Sequence, residues 1–193
     1  MINSKKELRE WLEYEKSFYF TSNKVKNIYY ILIKNEKSIL WTFQKKLRYT
    51  EYYKNTNKKI RYIISLKCLN YYRNKYLLHI EPNVFDKGLH IMHLGSILTN
   101  SNARVGQNCA IHINTSLVAN GVSNGTPQLG DDIVIGVGTN IVGNIKIANG
   151  IAIGANSLVN KSFDENDICI AGVPAKKISN NGRKNWGTKI ETY

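Results

Sequence analysis

Four histidines, His79, His90, His93 and His112, are the side chains of this 193-residue chain best suited to acid–base chemistry. Imidazole titrates near neutral pH, so a positioned ring can take a proton from a hydroxyl and return one to a leaving group. The three cysteines, Cys68, Cys109 and Cys169, form no C-x-x-C pair, which suggests neither a disulfide framework nor a thiolate zinc site. What these rings can do depends on the elements that hold them.

The main positioning element is a repeat. An aliphatic residue returns at six-residue steps at Val105, Ile111 and Leu117, then at Leu129, Ile135, Ile141, Ile147, Ile153 and Val159. Such a period fits neither a helix nor an alternating strand, and predicts units that bury their apolar faces only by stacking. Three sides of six residues would make one triangular coil, with coils about 4.8 Å apart, hence a parallel β-helix. The small residue after the aliphatic, as in Gly106, Gly130, Gly136, Ala148 and Gly154, is read as a corner whose backbone angles exclude a side chain. The doubled step from Leu117 to Leu129 predicts a loop, Asn120 to Gln128, that leaves the coil and returns in phase beside the site.

Counting back in sixes from Val105 gives Thr99 and then His93, so an imidazole stands where an inward or corner aliphatic is expected. That irregularity makes His93 the functional candidate. A three-histidine zinc site, as in a trimeric β-helix metalloenzyme, is a rival. With a sixfold period, however, His90 and His93 should point differently and His112 should fall on another side, so no metal is expected.

The N-terminal part has another character. Residues 1–80 hold 18 Lys/Arg against 6 Asp/Glu and residues 81–193 hold 9 against 8, so nearly all of the net charge of +13 is N-terminal. Helical spacing at Leu8, Trp11 and Leu12, at Ile28, Ile31 and Leu32, and at Leu40, Trp41 and Phe43 predicts three or four short amphipathic helices. Ser4 with Glu7 forms a capping-box start. Such a basic, tyrosine-rich region can pack on the end of the coil, touch an anionic membrane or glycan, or act as a non-catalytic scaffold on a polyanion. Nucleic acid is not expected, because no nucleic-acid motif accompanies the charge. Neither a signal-peptide core nor a membrane-spanning stretch is present, so a cytoplasmic protein, soluble or peripheral at the inner face of the membrane, is expected.

Gly88-Leu-His-Ile-Met-His-Leu-Gly-Ser-Ile-Leu-Thr-Asn100, Val105-Gly-Gln-Asn-Cys-Ala-Ile-His112, Ile135-Gly-Val-Gly, Ile141-Val-Gly-Asn, Ile153-Gly-Ala-Asn-Ser and Ala171-Gly-Val-Pro-Ala-Lys176 resemble the serine acetyltransferase-like branch of the hexapeptide-repeat acyltransferases. Short members of that branch resemble polysaccharide O-acetyltransferases. The resemblance implies a basic helical region over 1–75, a left-handed parallel β-helix over 76–180 and a C-terminal tail over 181–193. It also implies a homotrimer with acetyl-CoA in the groove between subunits and no metal. His93 matches the catalytic histidine. Ala119, Val137, Gly138, Ala155, Pro174 and Lys176 match the cofactor groove, with Lys177 as an alternative phosphate contact.

Three departures bear on the acceptor. An Asp precedes the catalytic His in true serine acetyltransferases, but Met92 does here; a second His is replaced by Thr126; and the orienting carboxylate aligns with His79, leaving Glu81 as the choice and Asp86 and His79 as rivals. Losing groups that grip a small zwitterion points to a hydroxyl of a cell-surface glycan or its lipid-linked precursor, contacted near His90 and Asn120. Serine O-acetylation is the alternative.

Overall fold

Every member of the aliphatic column is buried: from Val105 through Val159 none is more than 6 % exposed. In the computed structural model, which describes residues 1–122 and 125–185, these side chains line a three-sided winding. Most of the tail expected over 181–193, and Ser123 and Asn124 of the expected loop, lie outside the described residues.

Four helices come first: α1 (Lys5–Lys16), α2 (Lys24–Leu32), α3 (Glu36–Asn55) and α4 (Lys59–Tyr76). The strands are β1 (Leu78–His79), β2 (His90–Ile91), β3 (Ile97–Thr99), β4 (Arg104–Val105), β5 (Ala110–Ile111), β6 (Thr115–Val118) and β7 (Gln128–Leu129). They continue with β8 (Val134–Ile135), β9 (Asn140–Val142), β10 (Lys146–Ile147), β11 (Ala152–Ile153), β12 (Leu158–Val159), β13 (Cys169–Gly172) and β14 (Ala175–Ser179). One sheet is ordered β1-β3-β6-β9-β12, a second β10-β7-β4, and the third β14-β13-β11-β8-β5-β2. From β2 to β12 the chain visits the three sheets in rotation, and every pair is parallel except β13 with β14.

The register explains the irregularities of the sequence. One revolution takes 18 residues where Ile135 faces Ile153, and 24 where Ile111 faces Ile135. The six additional residues form the loop after β6, and the phase survives it. Ile91 faces Ile111, a step of 20, whereas Thr99 faces Leu117, a step of 18. Two additional residues therefore sit in the corner between β2 and β3, so counting in sixes lands on that corner at His93, and the inward residue is Ile91.

The small residues after the aliphatic column are explained differently from the expectation. Gly106, Gly130, Gly136 and Gly154 do not adopt positive φ; a Cβ on Gly106 would lie 2.2 Å from Asp131 Oδ1, and one on Gly136 would lie 2.7 Å from the Ala155 nitrogen. They are small because the next level lies against them. Left-handed angles fall later in each corner, mostly on Asn and Asp such as Asn108, Asn114, Asp132 and Asn156, residue types that tolerate them.

Capping at Ser4 and Glu7 is as expected. The helices are not all short: α3 has 20 residues and α4 has 18, and neither contains Gly or Pro to break it. Leu40, Phe43 and Leu47 of α3 and Leu69 of α4 join Leu78, Ile80, Val84, Leu89 and Ile91 in one continuous core, so the helices cover the first level of the winding. Across this junction lies the fully buried Arg48. Its guanidinium donates to both Glu15 oxygens (3.0 and 2.7 Å), Glu51 Oε2 (2.8 Å) and the carbonyls of Phe85 and Asp86 (each 2.8 Å). By contrast α2 buries none of its residues, leaving Val25, Ile28, Tyr29, Ile31 and Leu32 exposed.

Candidate active site

His93 is at the extended corner between β2 and β3, its side chain 58 % exposed. Against it stands a carboxylate that the sequence reading had not selected. Glu36 opens α3, where Asn35 caps the helix by accepting from the Lys37 amide at 3.0 Å. Its Oε1 accepts the Leu94 amide at 2.7 Å, and its Oε2 lies 3.3 Å from His93 Nδ1. A carboxylate can only accept, so the contact assigns the proton to Nδ1 and leaves Nε2 as the basic nitrogen.

Glu81 is elsewhere: its carboxylate pairs with Arg73 of α4, and its amide donates to Thr99 Oγ1 at 2.9 Å. Asp86 Oδ1 lies 3.7 Å from the N-terminal ammonium. The structure thus brings neither of these carboxylates to His93.

His112 does belong here, contrary to the expectation that it lies on another side. Its ring centroid is 6.2 Å from that of His93, because residues 92–96 and 112–114 form the same corner on successive levels. Burial, and then the charge of His93, lower its pKa. The step between these two levels is 20 rather than 18, so a regular count from His93 lands on Ile111 and misses it.

His90, expected near the acceptor, is instead covered by the helical region. Its ring stacks on Phe18 at 4.8 Å and meets Tyr19 edge-on at 5.8 Å. Burial, followed by the charge of Arg183, pushes its pKa down to about 4. The folded ring therefore stays neutral while the unfolded ring charges, so this contribution to stability is whole above pH 6.5 and fades as pH falls towards 4. Between pH 7 and pH 5 it should be worth about 2 kcal/mol. Urea denaturation at both pH values should show a smaller acid loss for His90→Phe than for the parent; equal losses would count against this account.

A cleft of about 500 Å³ is lined by Leu8, Leu12, Trp41, Tyr49, Tyr52 and Arg61 of the helical region and by none of these histidines. Among the described residues no three His, Cys, Asp or Glu side chains are grouped to hold a metal ion, and no helix is long and apolar enough to cross a membrane.

No family model matches the chain. Over 110 residues, 55 % of this chain, it is 31 % identical to the serine acetyltransferase of Staphylococcus epidermidis, covering 51 % of that protein. Over part of its length the chain is similar in sequence to serine acetyltransferases. The chain spans about half the length of the relatives it matches. Two solved serine acetyltransferases share its fold. That of Brucella abortus in complex with coenzyme A has TM-score 0.69 and 21 % identity over 92 % of this chain and 70 % of that one. The soybean enzyme complexed with serine has TM-score 0.70 and 23 % identity over 89 % and 69 %.

The positions expected to hold the cofactor fall in three places. Val137, Gly138 and Ala155 occupy consecutive levels of the corner that also carries His93 and His112. Ala119 is at another corner, since Val118 faces Val142. Asn120 beside it is exposed and accepts the Val122 amide at 3.1 Å. Pro174 and Lys176 are exposed at and just after the β13–β14 turn; Lys177 is paired with Glu165 at 2.5 Å, whereas Lys176 has no ion pair among the described residues. Thr126, expected at the place of a second histidine, is buried.

Proposed function

We propose that this chain is an acetyl-CoA-dependent O-acetyltransferase, acting on serine, with His93 as general base. The observation that carries the reading is a half-exposed imidazole whose Nδ1 is held by a carboxylate, leaving Nε2 to exchange a proton. The similarity to serine acetyltransferases supports the donor and the acceptor. In this mechanism His93 takes the proton of the acceptor hydroxyl as its oxygen attacks the thioester carbonyl. His93 then gives that proton to the sulfur as the carbon–sulfur bond breaks, yielding the O-acetyl ester and the CoA thiol. Lys176 would meet a CoA phosphate.

The same reading takes the winding as a closed left-handed β-helix and the assembly as a homotrimer. A groove completed by a neighbouring subunit accounts for the open surface around His93 on one chain, and for Ala119 lying at a different corner from Val137 and Ala155. Met92 and Thr126 favour a second acceptor, a saccharide hydroxyl, because neither can grip the charged groups of serine. The exposed apolar residues of α2, beside Lys24 and Lys26, would suit a lipid-linked form of that acceptor at an anionic membrane.

Thiol release from acetyl-CoA, followed with serine and with a soluble polysaccharide in parallel, tests the proposal. Faster release with serine is expected; faster release with the polysaccharide would move the assignment to the second acceptor, and no release with either would reject the activity.

A further inference from the structure

We infer that Glu36 is the positioning carboxylate of His93, so that the reacting base is assembled jointly by the helical region and the winding. The inference rests on the reading of His93 as the general base. Glu36 binds at two points, the Leu94 amide at 2.7 Å and His93 Nδ1 at 3.3 Å, which ties the ring to the backbone of its own corner. That corner needs such a tie, since its two additional residues carry His93 out of the strand ladder and into water. Glu36 in turn is fixed by α3, whose Ser38, Leu40 and Phe43 are buried immediately beyond it.

The other carboxylates considered for this role are engaged elsewhere, Glu81 by Arg73 and Asp86 near the N-terminal ammonium. With Oε2 accepting from Nδ1–H, the ring is held in the tautomer whose Nε2 can accept the acceptor's proton, and the carboxylate stabilises the imidazolium formed in the transition state. The side chains of the pair are 58 % and 41 % exposed, so it contributes little to folding and a loss of rate can be read without a loss of structure.

The test compares Glu36→Gln, Glu36→Asp and His93→Ala in the full chain, using acetyl-CoA and serine, or polysaccharide if that proves the faster acceptor. Histidine-selective ¹⁵N spectra report the ring tautomer, with His93→Ala identifying its signal. Glu36→Gln should lower kcat by about 10- to 10²-fold, less than the roughly 10⁴-fold of a fully buried triad carboxylate. KM should stay within about twofold, and Glu36→Asp should recover part of the rate. The His93 signal should move from the Nδ1–H towards the Nε2–H form together with the fall in kcat, whereas loss of a merely structural contact would leave kcat unmoved. An unchanged kcat and tautomer in Glu36→Gln, with His93→Ala inactive, would overturn this inference alone. A loss confined to the KM for the acceptor would make Glu36 a substrate contact and also overturn it. Full turnover by His93→Ala would instead remove the reading of His93 itself, and this inference with it.

Discussion

His93→Ala is expected to lower kcat by about 10²- to 10⁴-fold, the usual contribution of a general base, with little change in KM for acetyl-CoA. The loss falls on kcat because the ring acts on a proton in flight rather than on either bound substrate. Folding should survive, since the side chain is 58 % exposed and the Leu94 amide keeps its bond to Glu36 after truncation. The measurement is thiol release at saturating substrates, with urea denaturation run beside it. Added imidazole should restore part of the rate, because the vacated corner opens to solvent. Retained turnover with unchanged folding would mean that the proton leaves by another route, and His112, with its ring 6.2 Å away, would be the first residue to replace.

What the sequence could show here was set by distance along the chain. The aliphatic column was legible because stacking imposes a local period, and each of its members proved buried. The loop after β6 was legible because an insertion that preserves phase still leaves the aliphatic residues a multiple of six apart, as Ile111 opposite Ile135 records. An insertion of two residues leaves no such mark. Counting in sixes therefore reached His93 by arithmetic that the corner does not obey, and passed over Ile91, the inward residue.

The carboxylate was illegible for a different reason. Glu36 and His93 are 57 residues apart and meet only because α3 packs its first turn against the winding. No periodicity of either region reports that contact. Family resemblance pointed to the segment around Glu81, which in this chain serves an ion pair with Arg73. The glycine corners show a subtler gap: small residues were correctly marked, but the cause is the close approach of the next level rather than their own backbone angles.

The same junction carries the largest expected effect on stability. Arg48→Met should cost about 3–5 kcal/mol, read as a fall in the urea midpoint, because it leaves two buried carboxylates without their cation. All five guanidinium N–H donors are used, on Glu15, Glu51 and the carbonyls of Phe85 and Asp86. Arg48→Lys should recover little, since a single ammonium cannot span both carboxylates and both carbonyls. Combining Arg48→Met with Glu15→Gln and Glu51→Gln should recover much of the loss. The amides remove the stranded charge yet still accept the Gly88 and Asn83 N–H groups, which the carboxylates bind at 2.9 Å each. If the triple variant were no more stable than Arg48→Met, packing rather than charge would be the cause. Because the network fixes α3 on the winding, and α3 presents Glu36 to His93, Arg48→Met should also lower kcat where it is still folded. The triple variant should restore rate and stability together, linking the buried ion network at one part of α3 to the proton transfer at its first turn.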